Sequence, residues 1–432
     1  MNAFRTLNTA NAVRTSSLAL VLAFSAHVKA DYLPDPKAAE AALWASPSVA
    51  QARGDYAAQA LRSQSLQQGR DEWKLDAEVD QRRIQTTPSD NFAEWGLALS
   101  RPIRMPARAE ADRALAGALN AHAEASLGEA LHESGRQLLT LWFDWLNLAS
   151  QSNQWQAQRQ LAEQQLATVN ARIRLGEAPR TERVNAEAAL AQIRLQQLQS
   201  ATRLQQARSR LLTQFPTLPL TAATTLPPPT QPGFQGSADH YVDAVLEHNH
   251  ELFRARRQAD VLQAEAHKLA QHRSIDPTVG MFYRNEMGGN EHVLGLGVGL
   301  TLPGGARRTD QEAAEQLATS ARNAAIQLEQ RLRQEARADF EIAIAQVENW
   351  QQADRAAQAL TEAARLAARA YELGEGSLDQ VLVNRRLALE GQLMAQQTQL
   401  DALAANARLK LDSHQLWPLD VEADSENGHA HP

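Results

Sequence analysis

The sequence has no cysteine, which excludes disulfides, thiol catalysis and cysteine metal sites together. The same absence removes the residue that would carry a lipid at a mature amino terminus. Aromatic residues make up only 5% of the 432 residues, and Gln, Ala, Leu, Arg and Glu dominate instead. That mixture belongs to long helices and coiled coils rather than to compact mixed domains. After the first thirty residues no run of 18 apolar residues occurs, so a helical membrane anchor is excluded. A basic excess is missing too. The formal net charge is −7, and removing Arg5, Arg14 and Lys29 with the leader makes it −7 − 3 = −10. No basic patch offers counterion release, so no nucleic-acid partner is expected. Catalytic signatures are also missing: there is no H-E-x-x-H, no G-x-S-x-G and no paired carboxylate in apolar surroundings. No catalytic residue, cofactor-binding residue or metal ligand is assigned, and the chain is not read as an enzyme.

Residues 1–30 read as a signal peptide. Arg5 and Arg14 give a positive start, Ser17 to Ala26 form a short apolar core, and Val28-Lys29-Ala30 places small residues at the cleavage positions. The core is too short to span a bilayer as a helix. A mitochondrial transit segment is the alternative.

The remainder repeats itself. Leu175-Gly176-Glu177 recurs as Leu373-Gly374-Glu375, and the segment from Trp95 to Pro102 matches that from Leu296 to Pro303. The two offsets, 198 and 201 residues, are 373 − 175 and 303 − 102. Two halves follow, 31–214 and 238–412, each reading helix, two strands, long helix, tight turn, helix. A proline-rich linker at 215–237 joins them, and 413–432 form a C-terminal tail.

Proline is absent between Pro106 and Leu175, and a continuous helix of that length would reach roughly 105 Å. Leu127, Leu131, Leu138, Leu141, Trp145 and Leu148 recur at spacings of 4, 7, 3, 4 and 3, the seam of a coiled coil. Val184, Leu195, Leu198 and Leu211 mark an antiparallel partner helix after the turn.

The strands carry the decisive pattern. Trp73, Leu75, Ala77 and Val79 alternate with charged residues, and Trp95, Leu97 and Leu99 with small ones. Val279, Met281 and Tyr283 alternate less cleanly. Leu294, Leu296, Val298 and Leu300 alternate with Gly295, Gly297 and Gly299. Such period-two segments suit a membrane β-barrel, with those four apolar residues of the last strand facing lipid. Four strands are too few for a closed barrel, and an open edge cannot sit in lipid. The barrel must close between chains. A soluble sheet lying on the helices is the competing arrangement.

At this point the sequence resembles the TolC-type outer-membrane efflux channels. The resemblance is carried by the duplicated halves, the strand-to-helix passages SRPIRMPAR and TLPGGARR, and the turns LGEAP and LGEGSLDQVL. The second turn keeps Gly374, Ser377 and Leu382. The first departs, with Pro179 and Arg180 where serine is common. The resemblance implies a mainly α fold with β: a long antiparallel helical barrel plus a membrane β-barrel built across a homotrimer. It also implies an outer-membrane location with a periplasmic extension, a periplasmic adaptor, and an inner-membrane pump of the RND type. The docking turns would be Leu175, Gly176, Glu177, Leu373, Gly374 and Glu375.

The function so implied is a passive duct in a tripartite efflux system. The Gln- and Ala-rich helices and the tail histidines His429 and His431 resemble the branch serving heavy-metal resistance. An outer-membrane duct for secreted polypeptides is the alternative. A periplasmic adaptor fits less well, since its strand-rich modules have no counterpart here. Glu362, Arg365, Arg369 and Glu372 read as a salt-bridged helix surface. His248 and His250 read as a surface pair without metal, and no high-affinity metal site is expected.

Overall fold

A computed structural model describes residues 32–69, 71–85, 90–220, 226–233, 237–273 and 276–417. The signal segment and the two tail histidines lie outside the described residues. The first half runs α1 (Pro36–Trp44), α2 (Pro47–Gln68), β1 (Lys74–Ile84), β2 (Asp90–Pro102), α3 (Pro106–Arg174) and α4 (Arg180–Gln214). The second runs α5 (Ala238–His248), α6 (His250–Gln271), β3 (Asp276–Glu286), β4 (Glu291–Thr301), α7 (Ala306–Glu372) and α8 (Leu378–Asp412). The second half therefore repeats the first element for element.

Local chemistry sets many of these boundaries. Pro36, Pro47 and Pro106 each open a helix, where the missing N–H costs nothing and the fixed φ suits the first turn. Asp35 caps α1 by accepting from the Lys37 and Ala38 amides. With 69 residues, α3 extends unbroken for about 100 Å, and α7 nearly matches it with 67.

The helices bind one another as antiparallel pairs, α3 with α4 and α7 with α8, while α6 lies on both α3 and α7. The main apolar core sits midway along α3. Leu138, Leu139, Trp142, Phe143, Trp145 and Leu146 meet Leu43, Leu211, Phe215, Leu400, Leu411 and Trp417 there. Burying each of these large side chains contributes about 1.5–3 kcal/mol. The Trp142 indole donates to the Tyr32 carbonyl at 2.8 Å, tying the start of the chain to the core. The prolines of the linker have no N–H to offer, and α8 meets carbonyls along this segment. Gln399 donates to the Pro227 carbonyl at 3.1 Å and Asn406 to the Thr230 carbonyl at 2.8 Å.

The predicted seam on α3 is largely buried: Leu127, Leu131, Leu138 and Trp145 fully, Leu141 and Leu148 in part. The residues that mark the partner helix all lie on α4, but they are not all buried. Leu211 is buried, but Val184, Leu195 and Leu198 are exposed. α4 closes the hairpin through Leu190 and Leu211 together with the small residues Ala186, Ser200 and Ala207, and leaves Val184, Leu195 and Leu198 outside.

The strands form one antiparallel sheet in the order β1-β2-β3-β4. Its principal packing is strand on strand, with no helix laid across it among the described residues. The soluble arrangement, a sheet lying on the helices, is therefore not the one observed.

Candidate functional site

Strand register gathers the alternating residues onto one face. Leu75 stands opposite Leu99, Leu99 opposite Met281, and Met281 opposite Leu296. The next row is Ala77, Leu97, Tyr283 and Leu294, and a third pairs Val279 with Val298. All four residues of the last strand named from sequence, Leu294, Leu296, Val298 and Leu300, lie on this face. Most of it is bare: Val79 is 83% and Leu296 86% exposed. A contiguous apolar surface of this extent marks an interaction face rather than a solvated one.

Aromatic groups bracket the apolar rows, which the strand pattern alone did not reveal. At one end the Trp95 and Tyr283 rings meet at a tilt with centres 5.5 Å apart, and the Tyr283 hydroxyl meets His292 Nδ1 at 2.7 Å. At the other, Arg101 lies over the Trp73 ring at 5.4 Å. Amphipathic rings at both borders of an apolar band are the pattern of a membrane barrel.

The opposite face is charged along β1 and at the hairpin tips, and carries glycines on β3 and β4. Arg284 pairs with Glu78 at 3.1 Å, and Arg82 bridges Glu94 at 3.0 Å and Glu286 at 3.2 Å. Lower down, Gly280 stands opposite Gly297 and Phe282 opposite Gly295. The Phe282 ring lies across Gly295, where a Cβ would overlap it, whereas Gly297 has open space. In a single chain β1 and β4 are the outer strands, each with one row of backbone groups without a strand partner.

At the far end of the helices, the two predicted turns are near copies. Gly176 and Gly374 have φ of +77° and +80°. Gly176 N–H bonds to the Ile173 carbonyl and Glu177 N–H to that of Arg172. Gly374 and Glu375 make the same bonds to Tyr371 and Ala370. This double bond closes a helix through a left-handed residue, which glycine adopts without strain. Leu175 and Leu373 project outward, 73% and 59% exposed. The departure noted at the first turn has a structural counterpart. Ser377 caps α8 by accepting from Gln380, while Pro179 gives α4 no side-chain cap.

The turns are locked side by side. Tyr371 donates to Glu182 at 2.6 Å and Asn185 to Asp379 at 2.8 Å, over a small core of Val169, Ala186, Leu378 and Val381. Arg172 lies over the Tyr371 ring at 4.6 Å. Burial, and then the Glu182 carboxylate, push the Tyr371 hydroxyl up to about 12. Glu362 and Arg365 pair at 2.7 Å, Arg369 and Glu372 at 2.9 Å, the salt-bridged surface expected of them.

One expectation needs correction. His248 is exposed, but His250 turns inward and packs against His132 and His414. The two are not an isolated surface pair. Nothing in the strand or seam pattern tied residues 132 and 414 to them, because the contact spans three helices.

No family model and no curated relative matches the sequence. Solved structures do. The outer-membrane channel OprN superposes with a TM-score of 0.71 at 15% identity, over 87% of this chain and 89% of that one. The CmeC outer membrane channel of Campylobacter jejuni gives 0.71 at 13% identity, over 92% and 90%. CusC, whose structures concern folding and transmembrane channel formation, gives 0.71 at 14%, over 87% and 91%. The chain has the fold of these outer-membrane channels, and the expected fold of long antiparallel helices and four strands in two repeats is borne out.

Proposed function

We propose that this chain is one protomer of a TolC-type outer-membrane channel, the exit duct of a tripartite efflux system. The observation that carries the reading is the sheet, with one apolar face bare and an outer strand at each side. Three copies, β4 of one beside β1 of the next, would give a closed barrel of twelve strands. Closure satisfies the edge backbone groups and the bilayer covers the apolar face. The exposed apolar residues of α4 would be covered in the same assembly. Leu294, Leu296, Val298 and Leu300 then face lipid, and the charged, glycine-bearing face lines the lumen. The helices extend into the periplasm. The turns at Leu175-Gly176-Glu177 and Leu373-Gly374-Glu375 meet a periplasmic adaptor, which links the duct to an inner-membrane pump of the RND type. The exposed leucines and paired capping support that docking role. The duct is passive, its selectivity resides in the pump, and heavy-metal cations are the cargo class to test first.

Exported protein should fractionate with the outer membrane and run as a trimer after mild detergent extraction. A soluble periplasmic monomer would overturn the reading. A deletion strain challenged with separate metals, organic toxicants and a secreted polypeptide reporter distinguishes efflux from polypeptide secretion.

A further inference from the structure

The array of long helices has two open sides. α2 and α4 lie along α3, and α6 and α8 lie between α3 and α7. α4 and α7 are therefore the outermost long helices. They meet at the tips, where Tyr371 reaches Glu182, and do not pack along their lengths.

Each of the two carries a second seam on the face turned away from its own chain. The buried positions of α4, Ala186, Leu190, Ser200, Ala207 and Leu211, look inward. On the other side a row steps by four and three residues from Val184 through Leu195 and Leu198 to Leu212, nine positions of which eight are exposed. α7 has its own outward row, stepping by three and four from Ile342 through Ala356 and Leu366 to Ala370, again nine positions with eight exposed. Steps of this kind are the seam of a coiled coil. One row opens with four and the other with three, as two antiparallel helices require if they are to share layers.

Height, size and charge select one register. Both helices end at the locked turns, α4 beginning at Arg180 and α7 ending at Glu372. With the tips of neighbouring copies level, Val184 stands beside Ala368. A shift of two residues, about 3 Å, sets it opposite Ala370 and brings all nine layers together. Leu195 then faces Ala359, Leu198 faces Ala356 and Leu366 faces Ala188, large against small. Leu212 meets Ile342, and the polar positions coincide, Thr202 with Gln352 and Gln205 with Asn349. Beside the seam the same register pairs Glu187 with Arg369, Arg194 with Glu362 and Arg208 with Glu348, opposite in sign each time. Slid one heptad either way, Arg194 would face Arg355 or Arg369. Flanking charges set partner and orientation in coiled coils. Arg208 and Glu348 are exposed and make no ion pair with another described residue.

Resting on the channel reading above, we propose that α4 of one copy and α7 of the next form an antiparallel coiled coil in this register. The two outward seams are the surface by which copies of this chain recognise one another along the duct.

The chain has no cysteine, so an introduced pair reports without background. Leu198→Cys with Ala356→Cys, in one layer, should join neighbouring copies into a covalent trimer on mild oxidation of detergent-extracted protein. Each single variant, and Leu198→Cys with Ala363→Cys one heptad or about 10 Å away, should not. Arg208→Glu should lower the trimer-to-monomer ratio about tenfold, since three interfaces each lose a pair, and adding Glu348→Arg should restore it. Both side chains are exposed, so the fold of a single copy is undisturbed. A trimer in which the layer-matched pair does not link, or a ratio that Glu348→Arg fails to restore, overturns the coiled coil and leaves the channel reading standing. Linkage of Leu198→Cys to a different envelope protein gives the seam to another partner and overturns it too. Protein that forms no trimer at all overturns the channel reading with it, so the two failures are told apart.

Discussion

One face of the sheet and the middle of α3 both carry rows of apolar residues, yet they treat them in opposite ways. Around Trp142 the chain gathers its own start, its linker and its end to cover the side chains, so the core is complete within one protomer. Around Leu296 the chain supplies nothing, and an equally apolar surface stands open. The first region is finished by the sequence that encodes it, the second only by its surroundings. Mutation should separate them. Trp142→Ala should cost about 3–5 kcal/mol wherever the protein is studied, read as a lower thermal midpoint in detergent. Leu296→Asp with Leu300→Asp should leave the helical midpoint nearly unchanged. It should impair membrane insertion, at about 1–4 kcal/mol for each charge on lipid, read as loss from the outer-membrane fraction. If Leu296→Asp lowered the helical midpoint as much as Trp142→Ala, the two regions would be one cooperative core and the contrast would fail.

That contrast also explains what could be read from sequence. Period two in Leu294, Leu296, Val298 and Leu300 reports which residues share a strand face, and register then did the rest. The turns were legible because glycine, at Gly176 and Gly374, answers a local backbone demand. α4 was legible as a helix, but its burial was not, because Val184, Leu195 and Leu198 keep a helical pattern whether or not the same chain covers them. The histidine cluster was illegible for a different reason. His132, His250 and His414 are far apart in sequence and belong to no periodic pattern, so only the crossing of α3, α6 and α8 assembles them.

The turns give a smaller and sharper comparison, between packing and docking at a single site. Gly374→Ala strains a left-handed residue by about 1 kcal/mol and should lower stability slightly while transport persists. Leu373→Asp replaces an exposed side chain, so it should leave the trimer and its membrane level intact. If the turns receive an adaptor, it should nonetheless abolish resistance in a transport assay. Equal loss of assembly and transport in both variants would reduce the turns to plain helix closure.

The smallest expected effect lies on the polar face of the sheet and tests its assignment as lumen. Gly295 and Gly297 are neighbours on one face of one strand, so composition and periodicity treat them alike. Their surroundings differ. The Phe282 ring covers Gly295, and any Cβ there must displace the ring, while nothing stands within 4 Å of a Cβ at Gly297. A serine at Gly297 meets neither a side chain nor lipid, and a hydroxyl facing a water-filled lumen keeps its hydrogen bonds. Gly297→Ser should therefore insert and assemble at wild-type levels, with stability changed by less than about 0.5 kcal/mol. Gly295→Ser should insert too but assemble less well, because Phe282 must leave its seat. The trimer yields of the two variants, measured side by side, check both statements. A Gly297→Ser protein that fails to insert, while Leu296→Asp inserts normally, would reverse the facing of the sheet and place the charged side against lipid.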